Sequence, residues 1–146
     1  MFADVGLIGL GAVGTGLALL LAENGYELLV SDARPVSDFE ALLRQGSGRL
    51  HWTDANDLCS KCNVVLTSLP SVKIINQVAE AHIFPRMKRG GTWIDLSTTD
   101  EEEVKRLGPL AKERGIDLLE APLTGGVRHP TLLPSCRPTR SAAAPS

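Results

Sequence analysis

Apolar and polar positions fall into blocks along the chain, and their period switches repeatedly between the strand repeat of two and the helical repeat of 3.6. Residues 5–9, VGLIG, are an unbroken apolar run closed by glycine, the form of a strand buried on both faces. Over residues 12–24, Val13, Leu17, Leu20 and Leu21 recur at helical spacing, and Asn24–Gly25 supplies a stop. Residues 27–31 predict a second strand, 38–45 a weak helix ended by Gly46, and 49–52 a short third strand. A short helix over 54–60 leads into NVVLTSL, a buried strand broken by Pro70. Residues 72–81 predict a helix, and Arg89, Gly90 and Gly91 turn the chain into the strand TWIDLS. Thr99 or Asp100 then caps a helix with three glutamates in its first turn, where negative charge meets the positive end of the helix dipole. That helix runs to Arg114, stops at Gly115, and IDLLEAP is the last strand.

Strand and helix alternating in this way predict an α/β fold: a Rossmann-type doubly wound parallel sheet in three αβα layers, with right-handed crossovers. Ligands in such sheets bind beyond the carboxyl ends of the strands. That directs attention to residues 9–14, 32–34, 68–71, 97–99 and 122–126. After Gly126 the pattern breaks. The stretch VRHPTLLPSCRPTRSAAAPS carries four prolines, no acidic residue and no period. The expected organisation is a domain over 1–127 and an irregular or non-native tail over 128–146.

Composition narrows the classes. The chain has 146 residues, 43% hydrophobic and 22% charged, with net charge −2, which suits one domain with a real core. Its charge offers no basic field for nucleic acid. No apolar run approaches the ~18 residues of a membrane span, and the first residues lack a basic, signal-like segment. A cytoplasmic location is the expectation, with no membrane or nucleic-acid partner. Cys59 and Cys62 in CSKC invite a zinc or redox reading, but a second ligand pair is lacking and the motif does not open a helix. Two thiols at the end of a helix are the simpler reading, and no metal is expected.

The glycines at 9, 11 and 14 stand in the spacing G-x-G-x-x-G between an apolar strand and a helix. Gly9 serves the tight turn, Gly11 lets a pyrophosphate approach the backbone, and Gly14 lets helix and strand pack closely. The free N–H groups of the helix start, with its dipole, suit the anion. Asp32 closes the second strand 18 residues after Gly14, near the ~20 of a dinucleotide fingerprint. A carboxylate there accepts hydrogen bonds from both ribose hydroxyls and repels a 2′-phosphate. Arg34 can face such a phosphate or stack on adenine. NAD is therefore the expected cofactor, with NADP possible.

Four stretches, VGLIGLGAVGTGLALLLAENGYEL, NVVLTSLPS, GGTWIDLSTTD and DLLEAPLTGGV, together resemble the β-hydroxyacid dehydrogenase family in order and spacing. That family includes 3-hydroxyisobutyrate dehydrogenase, tartronate semialdehyde reductase and the cofactor domain of 6-phosphogluconate dehydrogenase. The resemblance implies a pyrophosphate site at Gly9, Leu10, Gly11, Ala12, Val13 and Gly14, and a ribose and adenine site around Asp32, Ala33 and Arg34. It implies that Leu69 and Pro70 lie along the cofactor and that Thr98 borders the nicotinamide. Ser97, Thr124, Gly125 and Gly126 would hold the carboxylate of a small β-hydroxy acid, through hydroxyls and backbone N–H groups.

Two departures bear on activity. Val13 and Leu17 stand where the family often has methionine, an apolar exchange that is readily tolerated. The family also continues into a helical second domain, whose lysine, in a motif resembling G-x-G-x-x-x-K-x-x-N, is the general acid/base. The lysines here, Lys61, Lys73, Lys88, Lys105 and Lys112, stand in no such motif. The expectation is a nicotinamide-dinucleotide-binding domain that is catalytically incomplete, with no catalytic residue of its own and an open oligomeric state. An imine reductase domain of the same superfamily and a non-catalytic nucleotide-binding remnant are the alternatives.

Overall fold

The structure is a computed structural model that describes residues 3–97, 101–121, 123–124, 131–132 and 137–138. Six apolar runs form adjacent strands: β1 (Val5–Ile8), β2 (Leu28–Ser31), β3 (Leu50–Trp52), β4 (Val64–Thr67), β5 (Thr92–Asp95) and β6 (Asp117–Glu120). They pair in parallel in the order β3-β2-β1-β4-β5-β6. The order reverses between β1 and its neighbours β2 and β4, which is where a crevice opens at the carboxyl edge. Register places Ile8 beside Ser31 on one side and Thr67 on the other. The residues that follow these three strands therefore meet at one edge.

Helices cover the two faces, each burying one side against the sheet. On one face, Ala18 and Ala22 of α1 (Ala12–Glu23), Phe39 of the 3₁₀ turn Val36–Phe39 and Leu42 of α2 (Glu40–Gln45) pack on Leu7, Leu28 and Val30. On the other, Leu58 of α3 (Ala55–Lys61), Ile75 of α4 (Val72–Val78) and Leu107 of α6 (Glu101–Glu113) pack around Val65 and Trp93. Burial of each such side chain contributes about 1.5–3 kcal/mol. The three-layer αβα architecture follows directly from the alternation of periods.

Two features differ from the pattern reading. The helix expected to end near residue 81 continues through a π-helical segment, Ala79–Ile83, into α5 (Phe84–Arg86). Pro85 is the physical reason: it has no N–H to donate to the carbonyl four residues back, and the wider i→i+5 turn absorbs the break. In the C-terminal stretch expected to be irregular, β8 (Thr131–Leu132) pairs antiparallel with β7 (Leu123–Thr124). The strand β9 (Arg137–Pro138) pairs antiparallel with β6 and adds a seventh strand at the sheet edge. Strands of two residues carry no detectable period. The expected cap at Thr99 or Asp100 lies outside the described residues.

Among the described residues, no helix is long and apolar enough to cross a membrane, and no group of three or more His, Cys, Asp or Glu side chains could hold a metal ion. Cys59 and Cys62 are both free and buried in the core. Burial, with a smaller effect from Cys62, pushes the Cys59 thiol up to about 12. Burial and then the charge of Asp57 push Cys62 up to about 11. Burial thus keeps both as neutral thiols packed in the core.

Candidate functional site

The three loop glycines divide by what constrains them. Gly9 follows β1 with φ at +103°, and a Cβ there would lie 2.1 Å from the Ser68 carbonyl oxygen. A Cβ on Gly14 would lie 2.0 Å from the Gly9 carbonyl oxygen. Both are demanded by the crossing of the β1 and β4 loops with α1. Gly11 is different, since a Cβ there would meet nothing within 4 Å. Gly11 is also the N-cap of α1 and provides no side-chain cap, and the first turn has no acidic residue. The N–H groups of Ala12, Val13 and Gly14 are thus the uncapped donors of a helix start beside open space. The cradle fits an anion brought from outside, such as a pyrophosphate.

Asp32 follows β2 and faces this loop. Its Oδ2 accepts the Leu10 N–H at 2.7 Å, and its Oδ1 accepts the Arg34 N–H at 2.9 Å. The Arg34 guanidinium closes over it, with Nε 3.0 Å from Oδ1 and Nη2 3.2 Å from Oδ2. The same Nη2 donates to the Leu10 carbonyl. Burial raises the Asp32 carboxyl, but the hydrogen bonds from Arg34 and Leu10 outweigh it and hold the group below its ordinary range. Arg34 in turn lies 4.9 Å from the centroid of the Phe39 ring, which stacks on Trp52 at 5.4 Å.

A cavity of about 340 Å³ opens beside Asp32, the lower end of the range for small-ligand pockets. Of the residues expected at a cofactor, Gly9, Asp32, Ala33 and Leu69 are among its lining, and Leu10, Gly11, Ala12, Val13, Gly14, Arg34 and Pro70 are not. Trp52, Thr53, Ile74, Val78 and His82 line it as well and were missed. Ile74 and Val78, four apart after Pro70, carried the one readable signal, an apolar stripe facing the carboxyl edge. Among the described lining residues there is no lysine.

Ser97 has a structural duty. Its hydroxyl accepts the Leu69 N–H at 2.7 Å and donates to the Thr67 carbonyl at 3.1 Å, tying the ends of β4 and β5 together. Beneath it, buried Asp95 accepts from the Thr67 hydroxyl at 2.9 Å, and the same Thr67 oxygen accepts the Trp93 indole N–H at 2.9 Å. This network was not legible beforehand. Pro70 is exposed at the start of the following loop. Thr98, Gly125 and Gly126 lie outside the described residues, and Thr124 is described only as a backbone partner of Thr131 in β7.

Comparison with known proteins gives a consistent picture. The model of the family described as the NAD binding domain of 6-phosphogluconate dehydrogenase matches residues 4–132. Human mitochondrial 3-hydroxyisobutyrate dehydrogenase is 33% identical over 125 residues, 84% of this chain and 36% of that protein. The 2-hydroxy-3-oxopropionate reductase of Escherichia coli is 31% identical over 124 residues, 84% of this chain and 41% of the enzyme. The chain therefore spans well under half the length of these curated relatives. Among solved structures, 3-hydroxyisobutyrate dehydrogenase from Mycobacterium tuberculosis, with L-serine, superposes with a TM-score of 0.74 at 22% identity over 88% of this chain and 43% of that one. A reductive aminase from Aspergillus terreus in complex with NADPH gives 0.77 at 19% identity over 90% and 46%. At these identities the structural likeness speaks for the fold.

Proposed function

The chain belongs to the family of NAD-binding domains represented by that of 6-phosphogluconate dehydrogenase, and on that premise we propose that it is the dinucleotide-holding domain of a β-hydroxyacid dehydrogenase. The observation that carries this reading is the open, uncapped start of α1 at Gly11, set beside the Asp32 carboxylate. The N–H groups of Ala12 and Val13 receive the pyrophosphate, with Gly11 allowing its approach. Asp32 takes the adenosine ribose hydroxyls once Arg34 turns away from it, and Ala33 and Leu69 flank the nucleoside. When bound, the nicotinamide supplies or accepts a hydride. Leu69, Pro70 and Thr98 border its path, while Ser97, Thr124, Gly125 and Gly126 form this domain's share of a carboxylate site for a small β-hydroxy acid.

In this reading the named residues bind and orient, and among the described residues no lysine lines the cavity. We assign the dinucleotide-holding domain to residues 1–127 and general acid/base chemistry to groups other than those named here. Arg34 keeps NADP within reach, because its guanidinium fork matches a 2′-phosphate as well as it matches Asp32. Titration calorimetry of this chain with NADH and NADPH tests the reading. Binding of NADH with weaker binding of NADPH is expected, and absence of heat with both overturns it.

A further inference from the structure

His82 is the one imidazole on the wall of the nucleoside cavity. It lies inside the π-helical segment, and Ile74, Val78 and His82, each four residues apart, run down one side of this continuous helix and line the same cavity as Asp32. Its Nδ1 is 2.6 Å from Asn56 Oδ1. An amide oxygen only accepts, so Nδ1 carries the proton, and in the neutral ring Nε2 is left as a bare acceptor. Nε2 has no hydrogen-bond partner among the described residues.

Two other polar side chains of the lining, Thr53 and Asp54, each make a hydrogen bond within the chain. The Thr53 hydroxyl donates to Asp57 Oδ2 at 2.7 Å, and Asp54 Oδ1 accepts the Asp57 N–H at 2.8 Å. Ile74, Val78 and Leu69 give the cavity an apolar lining suited to the face of a purine. An acceptor on the same wall suits a purine edge that donates.

We infer that His82, fixed as an Nε2 acceptor by Asn56, reads the exocyclic amine of adenine and so selects adenine dinucleotides over those bearing a 6-oxo purine. The inference rests on the dinucleotide reading above and adds to it the base recognised and the residue that recognises it. Adenine presents N–H at position 6, which matches a lone pair on Nε2. Hypoxanthine presents a carbonyl there, so two acceptors would face one another. Asn56 acts as a positioning residue, since it touches His82 and holds its tautomer.

The test is calorimetric titration of the whole chain with NADH and with reduced nicotinamide hypoxanthine dinucleotide. NADH is expected to bind about tenfold more tightly. H82A should bring the ratio of the two constants close to one, and N56L should do the same with His82 still present. N56D, which keeps an acceptor at Nδ1, should retain the preference. A circular dichroism melt of each variant separates loss of discrimination from loss of fold, and for an unfolded variant the N56L and N56D pair still decides the outcome. Equal affinity of the wild-type chain for both dinucleotides, or a ratio unmoved by H82A and N56L, overturns the inference and leaves the dinucleotide site standing. Failure of both dinucleotides to bind overturns the site and the inference together.

Discussion

Arg34 holds Asp32 by both carboxylate oxygens, with Nε 3.0 Å from Oδ1 and Nη2 3.2 Å from Oδ2. The group expected to receive a ribose diol is thus already occupied by a cation from its own loop. Arg34 is about half exposed, so the pair is weak and readily exchanged. It acts as an internal competitor for the ribose and as a potential partner for a 2′-phosphate. R34A is therefore expected to tighten NADH binding about two- to fivefold and to weaken NADPH binding. Fluorescence titration with the two reduced cofactors checks this, and equal loss for both would assign Arg34 to folding alone.

Asp32 also writes a signature into acid stability. Its carboxyl is held below the ordinary 3.8, because hydrogen bonds from Arg34 and Leu10 outweigh the effect of burial. A group whose folded value is depressed contributes stability above its unfolded value and loses it as pH falls through the folded value. The stability gap between wild type and D32N should be constant from pH 7 to about 5 and shrink below about 4. Denaturant melts across that range measure it.

The glycine loop gives a contrast between fold and binding. A methyl group on Gly9 or Gly14 would meet a carbonyl oxygen at 2.1 or 2.0 Å, whereas one on Gly11 would meet nothing. G9A should cost about 1–3 kcal/mol from its positive φ alone, with the collision added to that. G11A should leave the melt within about 0.5 kcal/mol of wild type, yet weaken NADH at least about tenfold by filling the pyrophosphate approach. Paired melting and calorimetry separate these outcomes.

The reason the loop was legible beforehand is that its constraints are local. A strand, three glycines at fixed spacing and a helix specify one another over ten residues, and Asp32 follows one crossover later. The six parallel strands were legible for the same reason, since each is a short apolar run bounded by a breaker. His82 and Trp52 were not, because they reach the cavity through pairings between distant elements. The π-helical turn depends on Pro85 acting backwards on the helix, an effect that apolar spacing does not encode. Ser97 was visible only as a residue at a strand end, and its bonds to Thr67 and Leu69 depend on the β4–β5 register. The edge pairing of Arg137–Pro138 with β6 is a backbone contact that side-chain pattern does not encode.

The two core cysteines make a chemical prediction. Burial raises Cys59 to about 12 and Cys62 to about 11, so at pH 8 almost no thiolate is present in the folded chain. Mass spectrometry after iodoacetamide treatment should show both unmodified in the native protein and modified in denaturant. The raised values also mean that their stabilising effect is complete below the unfolded value near 9 and is lost as pH rises toward the folded values. An alkaline loss of stability above pH 9 that is reduced in C59A is the matching thermodynamic result.

Ser97 decides between two duties at one hydroxyl. Its oxygen accepts the Leu69 N–H at 2.7 Å and donates to the Thr67 carbonyl at 3.1 Å. S97A would leave both backbone groups without this partner, in a partly buried setting where each lost bond costs about 0.5–1.5 kcal/mol. The variant is expected to lose about 1–2 kcal/mol of stability with no ligand present. Because Leu69 lines the cavity beside Asp32, NADH binding should weaken by a few fold as that loop loosens. S97T, which keeps the hydroxyl, should recover most of both effects. A melt unchanged in S97A would show that the clip carries no weight and would leave the hydroxyl to the substrate alone.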